Sequence, residues 1–416
     1  MIEQLNKKYS LFLSLIVGFV VSILFSPLIF PDSDGYIKYD SLRSLGYPLF
    51  IFILGKNLKL VVFIQAFLSI LSCIYFSKQI KIFFEFHKLT TLFFFVLISL
   101  IAVKISINIL PGSLCFTLYL FSLSYALKSY KKNEIKDYLI SSLFLLIAIL
   151  IRPQLFFAIT HLVIIGLYLA YKNKKNLIFL ISVLAVIFIS PNKLNKFTNL
   201  KFNNVEVSIS DTWNQLLIFP LFLSDISLLD HFENEVSKDL FVLSLRCVEQ
   251  KNLTKIKTMQ LNQNWIYVLE SNSFTVKNCT NLAVSNKFPN YTHEMREKIS
   301  KELYFDFLKA HLSKNKFLFL TDLIKKYSFA FINIFYFFIF LIFCLVLLIF
   351  QMYRYNIKLF FFNIFILNHL SNIFIIGLGA PLLLRYRFYT EVILIILILS
   401  ILLEFFATKN VKKSKM

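Results

Sequence analysis

Unbroken apolar stretches alternate along this chain with short polar segments that carry most of the lysines. The apolar stretches run for about 15–23 residues and show no period-two alternation, which predicts helices rather than barrel strands. They fall at 11–31, 60–77, 89–109, 114–128, 138–151, 155–171, 176–190, 328–350, 359–378 and 388–407. Two of them, 138–151 and 176–190, are short enough for tilted or re-entrant segments. The pattern predicts an all-α polytopic membrane protein with about ten transmembrane helices.

Three regions follow. Residues 1–190 form an N-terminal transmembrane module whose first loop is 31–59, 191–327 is a long polar segment, and 328–416 is a C-terminal transmembrane module. The long segment holds Trp213 and Trp265 and is large enough for a small domain. Toward its end, Ile299, Leu303, Phe307 and Leu308 recur at helical spacing among lysines. That predicts an amphipathic helix over 295–327, lying on the membrane surface.

Composition agrees: 58% of residues are hydrophobic and the mean hydropathy is +0.71. So much apolar surface exceeds what a water-soluble core of this size takes up. The net charge of +21 would suggest nucleic acid in a soluble protein, but the basic residues cluster between apolar stretches. With ten helices counted, the clusters at Lys7, Lys78, Lys131, Lys174, Lys358 and Lys412 all fall on one side. The positive-inside rule makes that side cytoplasmic, with both termini inside, and nucleic acid is not an expected partner. The first stretch ends in Phe-Pro-Asp rather than a small-residue cleavage site, so a retained helix in the inner (plasma) membrane is expected.

The five cysteines, at 73, 115, 247, 279 and 344, form no CxxC and no Cys/His cluster, so a zinc site is not expected. Cys247 and Cys279 share the long segment, and an oxidising compartment there would let them close a disulfide. No internal repeat is visible, which weighs against inverted-repeat transporters.

The first loop gathers the candidate chemistry. Asp32, Asp34 and Asp40 stand within nine residues, directly after a span and next to Tyr36 and Arg43. Gly46-Tyr47-Pro48 then gives a rigid turn before the chain re-enters apolar sequence. An ordinary solvated loop is the plain alternative; the functional one places carboxylates where lipid-phosphate headgroups lie. Arg152-Pro153 divides two spans, and Arg385 and Arg387 precede the last. Snorkelling would explain Arg152, and Glu391 could neutralise one of the later pair. Phosphate binding explains all three, because guanidinium matches phosphate oxygens bidentately. His161, Asn368, His369 and Asn372 lie within spans and are expected to hold helices together.

These motifs resemble the GT-C glycosyltransferases, in the branch of protein mannosyltransferases and lipid A aminoarabinose transferases. Asp32-Ser33-x-x-Tyr36, Arg43 and Gly46-Tyr47-Pro48 are similar to that family's first-loop signature. Ile151-Arg152-Pro153 resembles its Leu-x-Arg-Pro, and Arg385-Tyr386-Arg387-Phe388 its Arg-Tyr motif before the last span. Tyr304 to Ala330 resembles its amphipathic stretch ahead of a later helix. Leu110-Pro111-Gly112-Ser113 departs from the family's Pro-Glu, so a second acidic residue is missing.

The resemblance implies transfer of a sugar from a polyprenyl-phosphate carrier to a glycan, lipid or protein acceptor of the cell envelope, on the non-cytoplasmic face. It implies Asp32 as the base, with Asp34 as second candidate, and Tyr36, Arg43, Tyr47, Arg152, Arg385 and Arg387 around the substrates. No cofactor is required by the residues; a divalent metal stays open. No Gly-rich phosphate loop is present, which fits a lipid-phosphate donor rather than a nucleotide. The competing expectations are an O-antigen polymerase or ligase and a polytopic transporter or flippase.

Overall fold

The computed structural model describes residues 7–40, 43–174, 176–204, 212–290, 292–330, 357–378 and 387–413. Among the described residues it is all-α, with no strand and with five helices long and apolar enough to cross a membrane. The chain divides into two compact units, Met1–Thr198 with Cys344–Asn372 and Phe388–Met416, and Asn199–Phe343 with Ile373–Arg387.

The first unit begins with α1 (Lys7–Leu24), two short helices α2 (Ser33–Lys38) and α3 (Gly46–Ile53), and the long α4 (Leu58–Phe84). It continues with α5 (Lys88–Ser106), α6 (Gly112–Lys132), α7 (Ile135–Ile151), a 3₁₀ turn at Pro153–Ala158, α8 (Ile159–Lys172) and α9 (Asn176–Asn203). Later in the chain come α15 (Ile357–Leu378) and α16 (Phe388–Lys413); the residues of α9 from Asn199 and of α15 from Ile373 group with the second unit. The expected stretch 328–350 lies almost wholly outside the described residues.

This unit buries an apolar core but, unlike a soluble protein, also exposes many large apolar side chains. Large apolar side chains such as Phe12, Phe19 and Ile23 of α1 and Ile178 and Phe188 of α9 are exposed. Small polar ones are buried, and they let helices approach closely where burial of apolar groups gives no drive. Ser69 of α4 shares hydrogen bonds with Thr117 (2.8 Å) and Ser113 (3.4 Å) of α6. Ser122 of α6 bonds Ser141 of α7 (3.1 Å) and His161 of α8 (3.0 Å). On α15, His369 and Asn372 both bond Thr390 of α16, at 2.9 and 3.0 Å, and Gln154 donates to Asn372 at 3.1 Å.

Several boundaries differ from expectation: α4 runs on to Phe84 rather than 77 and the last helix to Lys413 rather than 407, and three further differences bear on the first loop. The first stretch stops being helical at Leu24 rather than 31: Pro27 lacks the N–H to continue the helix, and Leu28 pairs its backbone with Ile107 and Ile109 instead. At the other side of that pairing α5 ends at Ser106, short of 109. In α9 the helix runs through Pro191 to Asn203, past the expected end at 190. Its continuation buries Asn195 and Thr198 one turn apart, and both hydrogen-bond the first loop.

The described residues of the second unit are mostly α10 (Thr212–Leu223), a 3₁₀ turn at Ile226–His231, α11 (Glu235–Gln250), α12 (Lys255–Gln260), α13 (Trp265–Lys287) and α14 (His293–Ala330). Its core packs Phe222, Phe241, Leu269, Val276 and Phe307, and Cys247 and Cys279 are joined as a disulfide between α11 and α13. Leu303 and Phe307 are buried in this core, with Ile299 and Leu308 packed against it. That apolar face of α14, expected to lie on a membrane surface, is therefore filled by the unit's own helices. The helix kinks at Asn315 (φ −158°, ψ 84°), whose side chain caps the second half by accepting from Leu318 N–H (3.0 Å).

Candidate functional site

The segment between α1 and α4 carries the candidate residues, and neighbouring elements hold it in place. Leu28 N–H donates to Ile107 C=O and Ile109 N–H to Leu28 C=O, both at 2.9 Å. Ser33 extends this stitching. Its buried hydroxyl accepts from Phe30 N–H (2.9 Å) and donates to Ile109 C=O (2.8 Å). The residue after Asp32 thus anchors α2 to the turn between α5 and α6.

Anchoring α2 separates the two leading carboxylates. Asp32 accepts a hydrogen bond from Arg43 Nη2 at 2.9 Å, with its side chain 42% exposed. Asp34 lies on the exposed face and pairs along the helix with Lys38 at 3.1 Å. The structure brings Asp32 into the cluster and leaves Asp34 outside it.

Arg43 is the hinge of the cluster. Its guanidinium carbon lies 4.9 Å from the centroid of the Tyr36 ring. A Cβ on Gly35 would come within 2.9 Å of Arg43 Nε, so glycine is what leaves the guanidinium its seat. Burial pulls the Arg43 pKa down, but Tyr36 and Asp32 outweigh it and hold it above the ordinary value. The group is a permanent cation.

Behind Arg43 the aromatic residues form a wall. Tyr36 meets Tyr47 edge-on at 5.4 Å. Tyr47 is fully buried and donates to Gln65 Oε1 of α4 (3.0 Å). Gln65 in turn donates to the carbonyls of Ser106 (2.8 Å) and Asn108 (3.2 Å). Gly46, which opens α3, has no room for a side chain: a Cβ there would stand 2.7 Å from Ile151 N. The start of α3 therefore lies directly on the last turn of α7, next to Arg152 in sequence. From α9, Asn195 accepts Leu45 N–H and Thr198 bonds the Tyr39 hydroxyl, both at 2.9 Å. Burial raises the Tyr39 pKa despite its hydrogen bond to Thr198.

Arg152 ends α7 in extended conformation (φ −151°, ψ 107°) and donates to the hydroxyl of buried Tyr389 at 3.2 Å. Cys115, near the start of α6, neighbours Arg152, Tyr389 and Tyr47. Arg387 stands two residues before Tyr389 in sequence but groups with the second unit. Arg385 lies outside the described residues.

The structure thus assembles Asp32, Tyr36, Arg43 and Tyr47, and sets Arg152 one residue beyond the α3–α7 contact. Sequence reasoning missed Ser33 as an anchor and Gln65, Asn195, Thr198 and Tyr389 altogether. Only Gln65 had a signal, as an amide in the middle of an apolar stretch. Among the described residues no group of three or more His, Cys, Asp or Glu could hold a metal ion. Chemically, the cluster offers one oriented, part-exposed carboxylate and fixed cations. A scan of protein-family models and searches of curated proteins and of solved structures find nothing that matches this chain.

Proposed function

We propose that this chain is a membrane glycosyltransferase that moves a sugar from a polyprenyl-phosphate carrier to a cell-envelope acceptor on the non-cytoplasmic face. The supporting observation is the asymmetry of the first loop: Asp32 is oriented by Arg43 and stays partly open, while Asp34 points away into solvent with Lys38. A loop that served only to connect two helices would need neither the Ser33 anchor nor the glycine seat for a guanidinium.

In this reading the acceptor hydroxyl oxygen attacks the anomeric carbon and the bond from that carbon to the phosphate oxygen breaks. The electron pair leaves with the lipid phosphate, and the hydroxyl proton passes to Asp32. Arg43 holds the carboxylate in place. Arg152 meets the charge that develops on the phosphate. A single displacement inverts the anomeric centre. The chain crosses the inner membrane about ten times, with both termini and the lysine clusters on the cytoplasmic side.

The test compares Asp32→Asn with Asp34→Asn in proteoliposomes supplied with a polyprenyl-phosphate sugar. Asp32→Asn is expected to lose roughly 10²-fold or more in transfer rate, with unchanged thermal stability. Asp34→Asn should transfer at close to the wild-type rate. Wild-type transfer by both variants would refute the assignment of chemistry to this loop.

A further inference from the structure

In the second unit, the turns on either side of α12 and the first turns of α13 border an open cleft of about 530 Å³. The lining is rich in amides: Asn252, Gln263, Asn264 and Asn272, with the Ser271 hydroxyl beside them. One large aromatic ring, Tyr267, stands in the cleft and is 65% exposed. No carboxylate lines it, and Lys251 is the one cation among the described lining residues.

The walls are fixed. Asn252 and Asn262 hold left-handed backbone (φ +54° and +53°) and reverse the chain before and after α12. Asn264 caps α13 by accepting Ile266 N–H at 3.1 Å, and Asn272 donates to Val268 C=O at 3.0 Å. Leu253 and Val268 give the cleft an apolar floor.

This mixture restricts the ligand. A strongly charged ligand would find almost no countercharge. A purely apolar one would cover amide groups and leave their remaining donor and acceptor positions unmet. A sugar ring satisfies both demands, since each amide offers a donor and an acceptor to adjacent hydroxyls and the C–H face of the ring packs on tyrosine. The volume suits about two or three sugar residues. We propose that the cleft binds a neutral carbohydrate chain. Binding is measured without donor lipid or turnover, so its outcome is separate from that of the transferase reading.

The experiment uses the full chain in nanodiscs and saturation-transfer difference NMR with two probes, chitotriose and maltotriose, at millimolar concentration. Ring-proton transfer is expected from at least one of them. Tyr267→Ala should weaken it about tenfold, the loss of one good aromatic contact, and Gln263→Ala a few-fold. Both side chains are exposed, so folding is not at risk. Phe274→Ala removes an equally exposed ring of α13 outside the cleft and should bind as wild type. Absence of transfer from both probes, or wild-type binding by Tyr267→Ala, would overturn the assignment.

Discussion

Replacing Gly46 with alanine is the most direct way to ask whether the packing of α3 on α7 positions the site. A Cβ at Gly46 would lie 2.7 Å from Ile151 N and 2.8 Å from Leu150 C. Ordinary carbon contacts begin near 3.5 Å, so the two backbones must part by roughly 0.7 Å. The end of α7 resists, because Arg152 N–H is bonded to Ala148 C=O at 2.9 Å. The lighter α3 therefore lifts and carries Tyr47 with it. Its 3.0 Å bond to Gln65 then stretches beyond hydrogen-bonding range, leaving buried polar atoms unsatisfied. Overpacking and the broken bond together cost about 2–5 kcal/mol. A misplacement on this scale costs on the order of 10²-fold in rate. Gly55→Ala is the control. It meets nothing within 4 Å but sits at φ +62°, so it costs about 1 kcal/mol of backbone strain far from the cluster. The assays are thermal unfolding of purified protein and transfer from a polyprenyl-phosphate sugar. Gly46→Ala should unfold several degrees lower and lose transfer, whereas Gly55→Ala should lose a little stability and keep transfer. If the two variants behave alike in both assays, the contact between α3 and α7 does not hold the site.

Gly35→Ala should act on the guanidinium instead: alanine favours helix by up to about 1 kcal/mol, so stability holds or rises while Arg43 is pushed off Asp32 and transfer falls at least about tenfold. Unchanged transfer would mean that the ion pair does not orient Asp32. In the second unit, burial is the main influence that lowers the His311 pKa to about 4 from an ordinary 6.5; Lys314 also lowers it, and Pro220 C=O, Asp225 and Asp322 oppose the fall. The unfolded chain then binds the extra proton between those values, so this contribution is complete above pH 6.5 and disappears as pH falls toward 4, by about 3 kcal/mol in all. Thermal unfolding against pH should show this slope in the wild type and lose much of it in His311→Gln; an equal slope in both would remove the assignment. For topology, cysteines introduced at Lys132 and Asn252 in a cysteine-free background should label from opposite sides of the membrane, and labelling of both from one side would break the ten-span arrangement.

The candidate site was legible where its residues are contiguous. Asp32, Tyr36, Arg43 and Tyr47 come from one stretch of loop, and their chemistry stands out against the apolar sequence around them. The choice between Asp32 and Asp34 rested on motif context alone. The fold shows only that their surroundings differ: Asp32 meets Arg43, and Asp34 stays on the solvent face with Lys38. The support was not legible, because Gln65, Asn195, Thr198 and Tyr389 are single polar residues spread through helices, and a lone amide or hydroxyl in a span has no spacing that tells a structural bond from a functional one.

The helix ends show the same limit from the side of the backbone. Hydropathy marks where apolar sequence stops, which is not where a helix stops. Ahead of Pro31 the chain is still apolar, yet it leaves α1 at Leu24, where Pro27 has no N–H to continue the ladder and the turn after α5 offers Leu28 a backbone partner. At Ser190-Pro191 the apolar run ends and proline invites a break, yet α9 continues because Asn195 and Thr198, set three residues apart on one face, bond Leu45 and Tyr39. Both departures involve contacts with the segment between α1 and α4. At these two ends tertiary hydrogen bonds, and not hydropathy alone, set where the helix stops.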